Sequence, residues 1–121
     1  MKHNARSIRP FIGAKNFETS RRFYRDLGFE ENAIAQDFSV FHSGAFSFYL
    51  QAYYVKEWVD NTMVFMEVDD TQRFYNELMA LKLEDKYDAV RIVPIRTMDW
   101  GKECFVHDPS GVLWHFGEFF N

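Results

Sequence analysis

The chain has 121 residues, and its 18 acidic side chains against 14 Lys and Arg give a formal net charge of −4. That length makes one domain, large enough to bury a core without staples, while the charge excludes a general nucleic-acid binder and, by sign alone, favours a cationic small molecule as ligand. The single cysteine, Cys104, excludes an internal disulfide framework and fits a reducing compartment. No apolar run approaches the ~20 residues of a membrane span. The N-terminus carries Lys2, Arg6 and Arg9 with no apolar stretch behind them, unlike a signal peptide. The expectation is a soluble, cytoplasmic protein with neither nucleic acid nor membrane as partner.

In chain order, a strand-like stretch at Ile8 to Ala14 leads to Asn16, a helix N-cap, and to a helix in which Phe23 and Leu27 share one face. Three short strands follow, near Glu30 to Ala35, Phe38 to His42 and Phe46 to Ala52, with Ser43-Gly44 turning between the last two. The segment Tyr53 to Asn61 is a joint. A second strand, Thr62 to Val68, then leads to the N-cap Asp70 and a second helix, with Phe74 and Leu78 on one face. Glu84-Asp85-Lys86 reads as a solvated loop. Strands near Arg91 to Ile95, Gly101 to His107 and Val112 to Glu118 complete the chain. The turn Asp108-Pro109-Ser110-Gly111 joins the last two, with Pro preset for a tight turn and Gly free to take positive φ.

This order contains an internal repeat. Ser20-Arg21-Arg22-Phe23-Tyr24-Arg25-Asp26-Leu27 recurs in type as Thr71-Gln72-Arg73-Phe74-Tyr75-Asn76-Glu77-Leu78, each after one strand and before three. The expected fold is α+β: a single domain of two βαβββ modules, residues 5–58 and 59–121. One helix cannot cover both faces of a four-stranded sheet, so paired sheets can enclose a cleft. The chain is also rich in rings, with Phe 14, Tyr 6 and Trp 3 making 19% of it. One small core would struggle to hide them all, so some are expected in a cavity, groove or interface.

Phe23-Tyr24-x-x-Leu27-Gly28-Phe29 after a first strand, with Asp108-Pro109-x-Gly111-x-Leu113 before a last one, resembles the vicinal oxygen chelate superfamily of glyoxalases, extradiol dioxygenases and antibiotic-resistance proteins. Asp37-Phe38, Asp60-Asn61-Thr62, Trp100-Gly101-Lys102-Glu103 and His115-Phe116 make the resemblance strongest to the bleomycin-resistance proteins. That resemblance implies a homodimer, with exchanged N-terminal strands, that sequesters a drug in clefts between subunits without metal, cofactor or chemistry. Phe38 and Trp100 match drug-contacting aromatic positions, Phe65 stands where those proteins carry Trp, and Gln51 replaces a small residue. Trp58 is expected on a cleft rim and His115 at the cleft, so the expected ligand-binding set is Phe38, Gln51, Trp58, Phe65, Trp100 and His115. Val112 departs from the usual Asn after the turn glycine.

The alternative is a metal-dependent lyase, isomerase or dioxygenase of the same superfamily. The four metal-ligand positions that the resemblance implies fall here on Arg9-Pro10, Gln51, Met63 and His115. Arg and Met are not ligands for the hard divalent metals of such enzymes, so neither metal nor other cofactor is expected. His115 has a second reading, as a buried histidine satisfied by a neighbour. If the turn at residues 108–111 closes a simple hairpin, Cys104 lies opposite His115, the core of a thiolate nucleophile. One bulge would break that pairing, and no acid that would orient His115 stands out. Asp69-Asp70 reads as helix capping rather than a general-base pair.

Overall fold

The computed structural model describes all residues 1–121. The first module runs β1 (Phe11–Gly13), α1 (Phe17–Asp26), β2 (Glu30–Ala33), β3 (Phe38–Ser43) and β4 (Phe46–Gln51). A short helix α2 (Lys56–Val59) leads to the second module, made of β5 (Met63–Glu67), α3 (Thr71–Ala80), a one-turn α4 (Leu83–Lys86), β6 (Arg91–Thr97), β7 (Gly101–His107) and β8 (Leu113–Phe119). The sheets have the same topology, β1-β4-β3-β2 and β5-β8-β7-β6, with one parallel pair each, β1 with β4 and β5 with β8.

Both helices start where the caps were expected. The Asn16 side chain accepts from Thr19 N–H and the Asp70 side chain from Arg73 N–H, each at 3.0 Å. Each helix lays its apolar stripe on its own sheet, and the two helix-bearing faces share one core. Tyr24 sits at the join, its ring 5.0 Å from Phe48 of the first sheet and 5.7 Å from Trp114 of the second. Its hydroxyl donates to Asp108 Oδ2 at 2.6 Å and accepts from Trp114 Nε1 at 2.9 Å. Burial, then the neighbouring Asp108 charge, push the Tyr24 phenol well above its ordinary range, so it remains a donor.

The turn that carries Asp108 is built as its sequence indicates. Asp108 Oδ1 accepts from the backbone N–H groups of Ser110, Gly111 and Val112 at 2.8–2.9 Å, and Gly111 takes a φ of 107°, a conformation strained for any side chain with a Cβ. Ser110 Oγ accepts from Lys15 N–H at 2.9 Å, tying the turn of the second module to the first.

Three expectations change. The first strand shrinks to Phe11–Gly13 because its only neighbour is β4; residues before Pro10 make no ladder pairing, and Ile8 is 91% exposed. Glu84-Asp85-Lys86 lies in α4 rather than a loop, because buried Leu83 anchors that turn to the core. The joint holds α2, which carries Trp58. The penultimate pairing also shifts register between Val93 and Arg96, around Pro94, which has no N–H for the ladder.

Candidate functional site

Strand alternation sorts the aromatic excess. In each sheet one face meets the helix and the shared core, and the other looks outward. On the outward face of the first sheet, Phe11 stacks on Tyr49 with ring centres 4.7 Å apart, and Phe38 packs on the same Tyr49 at 5.9 Å. Gln51 lies beside Phe38 in register. Arg9 closes this patch, Nη1 donating to Tyr49 Oη at 3.2 Å with the guanidinium 5.6 Å over the ring.

The outward face of the second sheet carries the larger cluster. Phe65, Trp100 and Phe119 form a triangle with centres 5.2–5.9 Å apart. Phe65 stays 43% exposed and Trp100 38%, which leaves flat apolar surface for a ring to cover. His115, next to Phe65 in register, lies edge-on to Phe105 at 4.8 Å. Arg96 lies over the outer side of Phe105 at 5.7 Å. Gly117 keeps the floor low between Glu67 and Glu103: a Cβ there would come within 3.1 Å of the Phe65 ring and 3.2 Å of Glu103.

Thus Phe65, Trp100 and His115 come together on one face, and Phe38 and Gln51 on another. Within one chain the two faces point away from each other, since the shared core lies between them. Trp58 joins neither group: it is 64% exposed on α2, and its ring packs on Tyr53 at 5.9 Å. A separate groove of about 450 Å³ opens between the start of β4 and β5, with Phe48 and Trp114 as floor and Phe46 and Phe65 at its mouth. Of the expected ligand-binding residues it takes only Phe65.

The Cys104–His115 pairing does not form. The turn closes on His107 opposite Leu113, which sets Phe105 opposite His115 and Cys104 opposite Phe116. Cys104 therefore faces the core, fully buried, and burial pushes its thiol up to about 11, the opposite of an activated nucleophile. The register supplies instead the acid that the sequence did not single out. Glu103 shares the outward face with His115, and Glu103 Oε1 lies 2.8 Å from His115 Nδ1. The Glu103 side chain is 7% exposed and that of His115 21%. The signal was the alternation along β7, legible only once the turn length fixed the register.

The side chains at the metal-ligand positions of the enzymes do not fit a hard divalent ion. Arg9 is engaged with Tyr49, Gln51 offers an amide, and Met63 a thioether on an exposed strand end. No set of three or more His, Cys, Asp or Glu side chains converges anywhere in the chain. No helix is long and apolar enough to cross a membrane.

No protein-family model matches the sequence, and no curated protein matches it. Solved structures do match. The bleomycin resistance determinant encoded on the transposon Tn5 superposes with a TM-score of 0.80 at 18% identity, over 97% of this chain and 100% of that one. The bleomycin-binding protein of the bleomycin-producing Streptomyces verticillus, complexed with copper(II)-bleomycin, gives 0.78 at 23% identity, over 95% and 97%. Lactoylglutathione lyase from Agrobacterium tumefaciens gives 0.71 at 14% identity, over 96% of each chain. These neighbours include bleomycin-binding proteins and a lyase, and the chain shares their paired βαβββ fold.

Proposed function

We propose that the protein is a non-catalytic small-molecule binding protein that sequesters a flat aromatic or cationic compound. In this reading the protein is a homodimer in which the first-sheet face of one protomer, with Phe38 and Gln51, lies opposite the second-sheet face of its partner. The observation that carries it is the half-exposed Phe65–Trp100–Phe119 triangle: three large rings on an open sheet face offer offset stacking to a ligand ring and cation–π contact to a charged tail. The fold shared with proteins that bind bleomycin supports this reading, and bleomycin is accordingly the first compound to try.

The test is a calorimetric titration with metal-free and copper-loaded bleomycin, with Trp fluorescence read in parallel. Saturable binding with quenching is expected. Trp100→Ala should weaken it at least ~tenfold while leaving the melting temperature nearly unchanged, since the lost ring contact combines stacking worth ~0.5–1.5 kcal/mol with the apolar area it covers. Trp58→Phe should leave both affinity and quenching intact. An unchanged affinity in Trp100→Ala would remove the triangle from the site.

The competing reading is a metal-dependent lyase, isomerase or dioxygenase, favoured by one feature: metal-binding histidines commonly donate their other ring N–H to a carboxylate, as His115 Nδ1 is placed to do to Glu103. Stoichiometric divalent metal retained through purification would support it over sequestration.

A further inference from the structure

The second-sheet face carries Glu67, His107 and Arg96 around its aromatic rings, and its one hydrogen-bonded polar pair is Glu103–His115. Glu103 is a nearly buried carboxylate, and His115 Nδ1 is its one hydrogen-bond partner. A carboxylate only accepts, so the hydrogen of that bond belongs to Nδ1. His115 Nε2 makes no hydrogen bond within the chain and keeps accessible surface, so it opens onto the face. The ring cannot easily turn away: Phe105 stands edge-on to it at 4.8 Å and Phe65 lies at 6.3 Å on the other flank. The result is a fixed imidazole nitrogen at the border of the Phe65–Trp100–Phe119 triangle.

Resting on the binding reading above, we infer that His115 is the polar anchor of this face, its Nε2 lone pair accepting a hydrogen bond from an N–H group on the edge of a ring stacked beside it. Glu103 is the positioning residue that fixes the tautomer. The ligand class is thereby narrowed from flat and aromatic to flat heteroaromatic rings that carry an N–H donor at the edge. A ring of the same shape without the donor leaves Nε2 desolvated and unpaired, which costs more than the bond itself contributes.

The test uses a matched pair of probes, benzimidazole and its N-methyl derivative, on the full chain. Nitrogen NMR of the unliganded protein, at a pH where the imidazole is neutral, should show His115 protonated at Nδ1 and unprotonated at Nε2. Benzimidazole should quench Trp100 fluorescence and shift the Nε2 resonance. The N-methyl compound should bind about five- to tenfold more weakly and leave Nε2 unmoved. His115→Phe, which keeps an aromatic ring there, should abolish that preference. Glu103→Ala should reduce it and mix the tautomers, whereas Glu103→Gln, whose amide oxygen still accepts from Nδ1–H, should restore both.

A proton on Nε2 in the free protein, or a preference that survives His115→Phe, overturns the anchor. Equal quenching of Trp100 by both probes with Nε2 unmoved overturns the anchor and leaves the binding reading standing. If neither probe quenches Trp100, the anchor falls, and the bleomycin titration alone then decides the binding reading.

Discussion

At the scale of single residues, the two most specific motifs of the sequence place their central side chains in the core and not on the outward faces. Tyr24 and Asp108 come from the two most specific motifs, and both are fully buried where the modules join. Each satisfies the other: the Tyr24 hydroxyl gives Asp108 its fourth donor, and it also receives Trp114 Nε1–H. Tyr24→Phe would leave a buried carboxylate oxygen and an indole N–H unpaired. Chemical denaturation should show a loss of about 2–4 kcal/mol, while binding to the outward faces should change little in the remaining folded protein. A loss below ~1 kcal/mol would mean that water replaces the hydroxyl.

At the scale of elements, the two long helices, the succession of strands along the chain and the turn at residues 108–111 were legible in the sequence because periodicity, caps and turn residues are local signals, whereas the short helices α2 and α4 were not. What was not legible depended on register. The Cys104–His115 pairing failed by one residue, because the loop closes at His107 and Leu113, and one residue carries a side chain to the opposite face. The same shift hid Glu103 as the partner of His115. Tyr49 and Phe11 were missed as companions of Phe38 for a related reason: they lie on β4 and β1, and nothing local marks which alternate residues of those strands look outward.

The first module offers a test at this scale. Glu31 on β2 holds α1 through Arg21 Nε at 2.6 Å and Arg25 Nη1 at 2.7 Å, and it accepts from Ser39 Oγ at 2.6 Å. Burial pushes the Glu31 carboxyl up, but the bonds from Arg21 and Ser39 outweigh it and hold it below its ordinary 4.5. A depressed carboxyl stabilises the folded state at pH above the unfolded value, and that stabilisation is lost as pH falls through the folded one. Melting curves of the native chain and of Glu31→Gln should therefore be well separated near neutrality. They should converge as the pH is lowered below 4.5. A separation constant with pH would show that the carboxylate's charge is not what ties α1 to β2.

At the scale of the whole molecule, the two modules spend their helix-bearing faces on each other, and that choice sends both aromatic faces outward. Phe11, Phe65 and Phe119 remain 43–56% exposed in one chain, a large apolar surface for a single domain to leave open. The proposed dimer would cover this surface by pairing the Phe38 face of one protomer with the Trp100 face of its partner around a shared ligand. Complementation tests it most directly. In the proposed dimer, Phe38→Ala and Trp100→Ala proteins would each carry two damaged clefts. After mixing and subunit exchange, a heterodimer has one cleft with both defects and one with neither. The mixture should regain tight binding of copper-loaded bleomycin at one site per heterodimer, although neither parent binds tightly. A mixture that binds no better than its parents would contradict the shared cleft.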